Sequence, residues 1–234
     1  MVTEENTSST ILQDFISKLH VEAVGIASLA DWKETRLEET ALKLLPRARS
    51  VVVLAMEISR EVLDLASPGK AMGVASLSDL LNRDADFLYG RLTKASYDIA
   101  KASRKLTLRA LPLPAVGCPL DTRFLEAVFS YKHAAQAAGL GRIGKHSLLI
   151  TPDFGSRVRL SCCLTEAVLE PTQGNMAEEC GSCRICIDNC PAGALADPQA
   201  GETYAINKFA CSSFRTASGT CVECLRLCPA GMSG

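Results

Sequence analysis

The sequence lacks several features that would commit it to a large class of partner. It has no surplus of either charge, with Lys and Arg totalling 25 against 26 Asp and Glu, a formal net charge of -1. No global positive field exists to draw it onto a phosphate backbone or an anionic bilayer, so neither nucleic acid nor membrane is expected as a partner. Long apolar runs are missing as well. The longest of any size, Val51 to Met56, falls far short of the roughly 20 residues that a spanning helix needs. The opening stretch MVTEENTSST is acidic and polar, without the basic residues, apolar stretch or twin arginine of an export signal, and a cytoplasmic location is expected. Histidine is confined to His20, His133 and His146, and the first 117 residues contain no cysteine at all.

With 234 residues, 47% of them hydrophobic, the chain can build one substantial core with a small module appended. Cysteine marks that module. Of 11 cysteines, eight lie between Cys180 and Cys228. In a reducing compartment such a dense set points to metal binding or catalysis rather than to structural disulfides. The expected organisation is an α/β domain over residues 1–171 and a cysteine-bearing module over residues 172–234.

Periodicity gives an alternation of helix and strand. Ile11, Leu12, Phe15, Ile16 and Leu19 recur at helical spacing behind the capping candidates Ser8, Ser9 and Thr10. Val24 to Ala27 reads as a short strand, residues 34–45 as a helix ended by Pro46, and residues 50–56 as a buried strand. Residues 76–108 suit one or two long helices, and Pro112, Pro114 and Pro119 punctuate a loop. Residues 124–138 are alanine-rich and predict a helix stopped by Gly139 and Gly141. Residues 147–150 and 158–164 read as a hairpin across the turn at Pro152 to Gly155, with Cys162 on an apolar face and Cys163 on the other. Residues 171–179 read as a polar linker.

The run from Cys180 to Pro191 is C-x2-C-x2-C-x3-C-P, the spacing of bacterial two-cluster ferredoxins. Three thiolates on one tight loop can grip one cubane, while the fourth, in the following helical turn, serves the other cluster. A return set is therefore required, and Cys221, Cys224 and Cys228-Pro229 supply it with Cys211 as the missing member. The expected pairing is Cys180, Cys183, Cys186 and Cys228 on one [4Fe-4S] cluster, and Cys190, Cys211, Cys221 and Cys224 on the other. Structural zinc competes for two C-x2-C pairs, but it needs neither a third cysteine at i+6 nor a Cys-Pro at each end.

Residues 139–144 match G-x-G-x-x-G, and residues 139–145 the start of a P-loop. The dinucleotide fingerprint requires a strand before and a helix after, and the order expected here is reversed. A P-loop needs Ser or Thr directly after the lysine, where this chain has His146. The glycines still require that backbone turn sharply or approach something closely.

The segment AAQAAGLGRIGKHSLLITPDFG, residues 134–155, followed by a double-cluster module, resembles the epoxyqueuosine reductase family and the catalytic part of corrinoid reductive dehalogenases. LPRARSVVV at residues 45–53 resembles an earlier strand entry of the same family, so that the likeness runs from about Leu45 to Cys228. The resemblance implies a nitroreductase-like α/β domain holding cobalamin, followed by a ferredoxin-like module whose clusters feed electrons to cobalt. On matching positions the corrinoid-binding residues are Lys132, His133, Gly139, Gly141, Arg142, Gly144, Lys145, His146 and Ser147. In epoxyqueuosine reductases an Asp ahead of the glycine turn acts as proton donor; Leu125 stands at the matching position here, with Glu126 offset by one. Glu126 and Tyr131 are the remaining acid candidates. The helical repeats that engage tRNA in that family have no counterpart in the six residues after Cys228, and the likeness is greatest to shorter double-cluster paralogues.

Three functions compete: a corrinoid-dependent or corrinoid-reducing redox protein, an electron-transfer protein without an organic cofactor, and a nitroreductase-like iron-sulfur enzyme with FMN in the pocket. All would draw on a low-potential donor such as ferredoxin or flavodoxin, and the first could serve a separate corrinoid protein. Anaerobically reconstituted protein is expected to carry about eight irons and eight sulfides per chain. Stoichiometric zinc without visible charge-transfer absorption would refute the cluster assignment.

Overall fold

A computed structural model describes residues 2–66, 71–72, 75–116, 118, 120–174 and 179–231. In chain order it begins with α1 (Val2–Ser17), β1 (Ala23–Ser28), α2 (Arg36–Leu44), β2 (Ser50–Glu57), α3 (Arg60–Leu65), β3 (Ala71–Met72), β4 (Ala75–Ser76) and α4 (Ser78–Lys105). There follow β5 (Ala110–Leu113), β6 (Leu120–Asp121), β7 (Glu126–Ala127), α5 (Tyr131–Ala137), β8 (Arg142–Ile143), β9 (Leu149–Ile150) and β10 (Val158–Thr165). The last part carries α6 (Ile185–Asp188), β11 (Leu195–Ala196), β12 (Ala205–Ile206), α7 (Lys208–Ser218) and α8 (Glu223–Arg226). The protein is of mixed α/β class. Its elements gather into two units, each assembled from separated stretches. One comprises Met1–Met56, Tyr89–Leu140 and Arg159–Asn175, the other Glu57–Leu88, Gly141–Val158 and Met176–Gly234.

The first unit is built on a sheet of order β1-β2-β10-β5. β2 is buried from Ser50 to Met56, as its unbroken apolar run requires of a strand covered on both faces. β1 lies antiparallel to it, Ala23 opposite Ala55 and Ser28 opposite Ser50. On the far side β5 pairs antiparallel with β10, Cys163 opposite Pro112. Pro112 was expected in a loop; it is accommodated because β5 is an edge strand, where a missing N–H breaks no ladder bond. β10 is buried from Ser161 to Thr165, so Cys162 and Cys163 are both in the core rather than on contrasting faces. Burial pushes both thiols well above the ordinary range, which leaves them neutral and inert at physiological pH.

Helices cover this sheet. α1 buries Leu12 and Ile16 and leaves Ile11 and Phe15 exposed. It starts at Val2, so Ser8, Ser9 and Thr10 lie inside the helix and cap nothing. α2 is capped by the Thr35 hydroxyl, which accepts from the Glu38 N–H at 3.2 Å. In α4, Leu92 and Ile99 are fully buried, and the Ser161 hydroxyl donates to the Leu92 carbonyl at 3.1 Å, tying the helix to β10.

Two expectations fail near the glycine turn. The helix expected from Phe124 begins only at Tyr131, because residues 120–127 form the β6–β7 hairpin, with Asp121 opposite Glu126. Asp121 accepts both the backbone N–H and the guanidinium of Arg123; this local turn chemistry outweighs helix propensity over the segment. The expected pairing of residues 147–150 with 158–164 is also absent. β9 pairs instead with β8, Arg142 opposite Ile150, while β10 is taken into the large sheet. Nor does the chain leave the first unit at Pro171. Thr172 donates its N–H to the Ile26 carbonyl, and its hydroxyl accepts from the Ile26 N–H, both at 2.9 Å.

Ser50 joins the end of β2 to the segment after β10. Its hydroxyl, 1% exposed, donates to the Ala167 carbonyl at 2.9 Å and accepts from the Leu169 N–H at 3.0 Å. Ser50→Ala leaves both backbone groups buried and unpaired and is expected to cost about 1–3 kcal/mol. An unchanged urea midpoint would show that this bridge does not hold the segment.

Candidate functional site

The cysteine-bearing segment belongs to the second unit and repeats one small device. Cys180 and Cys183 sit on a loop closed by the Cys183 N–H donating to the Cys180 carbonyl at 2.8 Å, and Gly181 turns it at φ 48°. Cys186 lies in α6, and Cys190 follows with its sulfur accepting the Ala194 N–H at 3.3 Å. α7, started by the Asn207 side chain accepting from the Ala210 N–H, carries Cys211 and buries none of its residues. Cys221 precedes α8, which carries Cys224, and Cys228 comes after it. α6 and α8, the two short helices of the repeat, pack against each other.

The thiols fall into two neighbourhoods. Burial, then the proximity of Cys180, Cys228 and Cys183, pushes Cys186 up to about 11. Burial likewise raises Cys228, with Cys180 and Cys183 beside it, against the lowering effect of hydrogen bonds from the Ala230 backbone and the Ser156 hydroxyl. In the other neighbourhood Cys224 is pushed up to about 12, by burial first and then by Cys221, Cys211, Cys186 and Cys190. Cys211 is raised by burial, with Cys190 and Cys221 nearby and Arg215 opposing. Cys186 and Cys224 are where the two groups adjoin. Among the described residues no three or more His, Cys, Asp or Glu are set to hold a single metal ion. Eight thiols are gathered in this segment, and thiolate is the donor that iron-sulfur clusters take.

Residues far upstream fasten this segment. Thr151 and Gly155 exchange backbone bonds at 2.8 and 3.0 Å and close a turn. Gly155, at φ 56°, abuts the Ala230 carbonyl, and Gly231, at φ 68°, returns the contact, so neither position has room for a Cβ. Ser156 donates to the Leu225 carbonyl at 3.3 Å. Arg157 donates to the Gly231 carbonyl at 3.2 Å and pairs with Glu57 at 3.0 Å. Sequence reading missed Ser156 and Arg157. Only the glycine after the Pro152 turn signalled the close approach.

The residues assigned to a corrinoid have mixed surroundings. In the first unit, Lys132 and His133 lie on α5; His133 Nδ1 is 2.6 Å from the Ser130 hydroxyl, and burial followed by the Lys132 charge lowers its pKa. Tyr131 donates its hydroxyl to the Pro114 carbonyl at 2.7 Å, with Cys118 beside it, and burial raises the phenol. Leu125 holds φ 49° in the turn between β6 and β7, and Glu126 pairs with Arg36 at 2.7 Å. Gly139, at φ 73°, lies against the backbone of Gly174, 2.8 Å from where its Cβ would be.

In the second unit, a Cβ on Gly141 would strike the Ile150 carbonyl, and one on Gly144 would lie 3.0 Å from the His146 ring. These glycines therefore serve the β8–β9 hairpin itself. His146 is buried, its Nδ1 accepting the Leu148 N–H at 3.1 Å, and Ser147 is held at φ 65°. Arg142 pairs with Glu179. Lys145, expected to donate to a corrinoid, turns its ammonium to the Cys183 carbonyl at 3.2 Å and to Asp197 at 3.3 Å.

No family model matches the chain. It is 29% identical over 221 residues to the epoxyqueuosine reductase of Bacillus subtilis, covering 89% of this chain and 54% of that protein. It is 31% identical over 160 residues to the tetrachloroethene reductive dehalogenase of Dehalobacter restrictus, covering 60% and 27%. The chain is a relative of both.

The fold is shared with solved members of each group. The epoxyqueuosine reductase of Streptococcus thermophilus superposes at a TM-score of 0.58 with 18% identity, over 96% of this chain and 66% of that one. A catabolic reductive dehalogenase gives 0.69 with 16% identity, over 94% and 31%. Against the curated epoxyqueuosine reductases of Bacillus subtilis and Gloeobacter violaceus the chain spans about half the relative's length. No helix among the described residues is long and apolar enough to cross a membrane. The expected pairing of the cysteines makes a specific demand. Cys211→Ser is expected to remove the cluster of its own group and spare the other, leaving about half the wild-type iron. A variant retaining all its iron would overturn the choice of Cys211.

Proposed function

We propose that the chain is an iron-sulfur redox protein that relays low-potential electrons through two [4Fe-4S] clusters to a bound corrinoid, as a reductase or as a reductant of cobalamin. What supports the reading is the C-x2-C-x2-C-x3-C-P spacing, together with the proximity of Cys190 to Cys211 and Cys224 and of Cys228 to Cys180 and Cys183. Cys180, Cys183, Cys186 and Cys228 would hold one cluster, and Cys190, Cys211, Cys221 and Cys224 the other. When bound, the clusters supply one-electron transfer at low potential, and cobalamin supplies a reducible cobalt.

The chain's own residues prepare these sites. Burial keeps Cys186 and Cys224 protonated at neutral pH, so that ligation must displace their protons. The Ala194 N–H orients the Cys190 sulfur. Of the residues the resemblance gives to the corrinoid, we assign that role to Lys132 and His133 of α5, since Gly141 and Gly144 serve the β8–β9 hairpin and Lys145 the cysteine loop. Tyr131, whose hydroxyl donates to the Pro114 carbonyl, and Glu126, which pairs with Arg36, are the two acid candidates. The cluster cysteines all lie in the stretch Met176–Gly234 of the second unit. A reducing cytoplasm suits so many free thiols, and a ferredoxin or flavodoxin suits the donor role. One related epoxyqueuosine reductase was solved with a tRNA stem loop; for this chain, with its net charge of -1, we assign no nucleic-acid partner.

A second reading, electron transfer without an organic cofactor, is favoured by one observation. Gly139 and Gly141, whose bareness suits close approach by a ligand, are already approached by Gly174 and Ile150 of the same chain. Anaerobic titration of the reconstituted chain with cobalamin, followed by desalting and cobalt analysis, separates the readings. About one cobalt per chain, reduced by Lys132→Ala or His133→Ala, is the expected result. Retention of FMN instead would establish the flavin reading, and retention of neither would establish the simple carrier.

A further inference from the structure

The loop bearing Cys180, Cys183 and Cys186 is bracketed by a charged triplet drawn from three parts of the second unit. Lys145 comes from the connection between β8 and β9, Arg184 follows Cys183 directly, and Asp197 follows β11. The Lys145 side chain is only 15% exposed, and its ammonium reaches the Cys183 carbonyl at 3.2 Å and one Asp197 oxygen at 3.3 Å. The other Asp197 oxygen pairs with Arg184. Arg184 is also paired with Asp188 at 3.1 Å, so the two cations face two carboxylates, and Lys145 is the sheltered cation among them.

We infer that Lys145 sets the reduction potential of the cluster held by Cys180, Cys183, Cys186 and Cys228, with Asp197 as its counterweight; this rests on the two-cluster reading. Reduction adds one electron, supplied by an external low-potential donor, and so one negative charge to the cluster. A fixed neighbouring cation stabilises the reduced form more than the oxidised one. That energy grows as distance and local dielectric fall, so the sheltered ammonium of Lys145 outweighs the Arg184 guanidinium, whose side chain is 46% exposed. Net charge and hydrogen bonding around the cysteines are the levers by which a protein tunes such a cluster. A lysine that merely braced the loop would change how much iron is held and would leave the potential alone.

The test is a dithionite titration of the full, reconstituted chain, following the reduced-cluster resonances by electron paramagnetic resonance. Lys145→Gln should move one of the two midpoint potentials to more negative values and leave the other in place, while Lys145→Arg restores it. Asp197→Asn should move the same midpoint in the opposite direction, and it decides the matter if Lys145→Gln fails to fold. Two clusters with neither midpoint moved, both moved equally, or both variants shifting in one direction would overturn the role of Lys145 alone. A wild-type chain that takes up no iron would overturn the two-cluster reading and this inference with it.

Discussion

Crossed ligation places a demand on the chain that short-range structure cannot meet. If the last cysteine of each run belongs to the other run's group, Cys228 must return to the loop begun at Cys180, across α7 and α8. The second unit contains the means to hold it there. Gly155 and Gly231 meet backbone to backbone, Ser156 donates to the Leu225 carbonyl, and Arg157 ties Gly231 to Glu57. These anchors lie on residues that precede the cysteine segment by some distance in sequence. The unit is accordingly assembled from three separate stretches rather than from the terminal one by itself.

What could be read in advance follows from how local each cause is. β2 was legible because a strand buried on both faces has to be continuously apolar, and α4 because a long segment without proline leaves the helix unopposed. The loop of Cys180 and Cys183 was legible because their close spacing leaves room only for a tight turn, which Gly181 makes. The β8–β9 pairing was not. Residues 147–150 have the same apolar character whichever strand they join, and the choice is made by Gly141, which lets the backbone lie against Ile150. The late start of α5 was hidden for a similar reason, since a turn closed by Asp121 and Arg123 precedes it and overrides the alanines that follow.

In the glycine-rich segment the demand for close approach is met from within the chain. The absence of Cβ at Gly139 and Gly141 was read as room for a ligand or as a sharp turn. The approaching groups are Gly174 and the Ile150 carbonyl. Lys145, next to these glycines in sequence, is directed at the Cys183 carbonyl. A motif that resembles a nucleotide cradle is, in its second-unit part, a hairpin that braces a cysteine loop.

The burial pattern of α7 has a consequence for the stability of the protein. This helix carries Cys211 but puts no side chain into a core, so apolar packing contributes little to keeping it in place. Under the proposed ligation, the metal-sulfur bond at Cys211 would be the main tether of this eleven-residue helix, so that loss of the cluster would loosen the fold as well as the electron path.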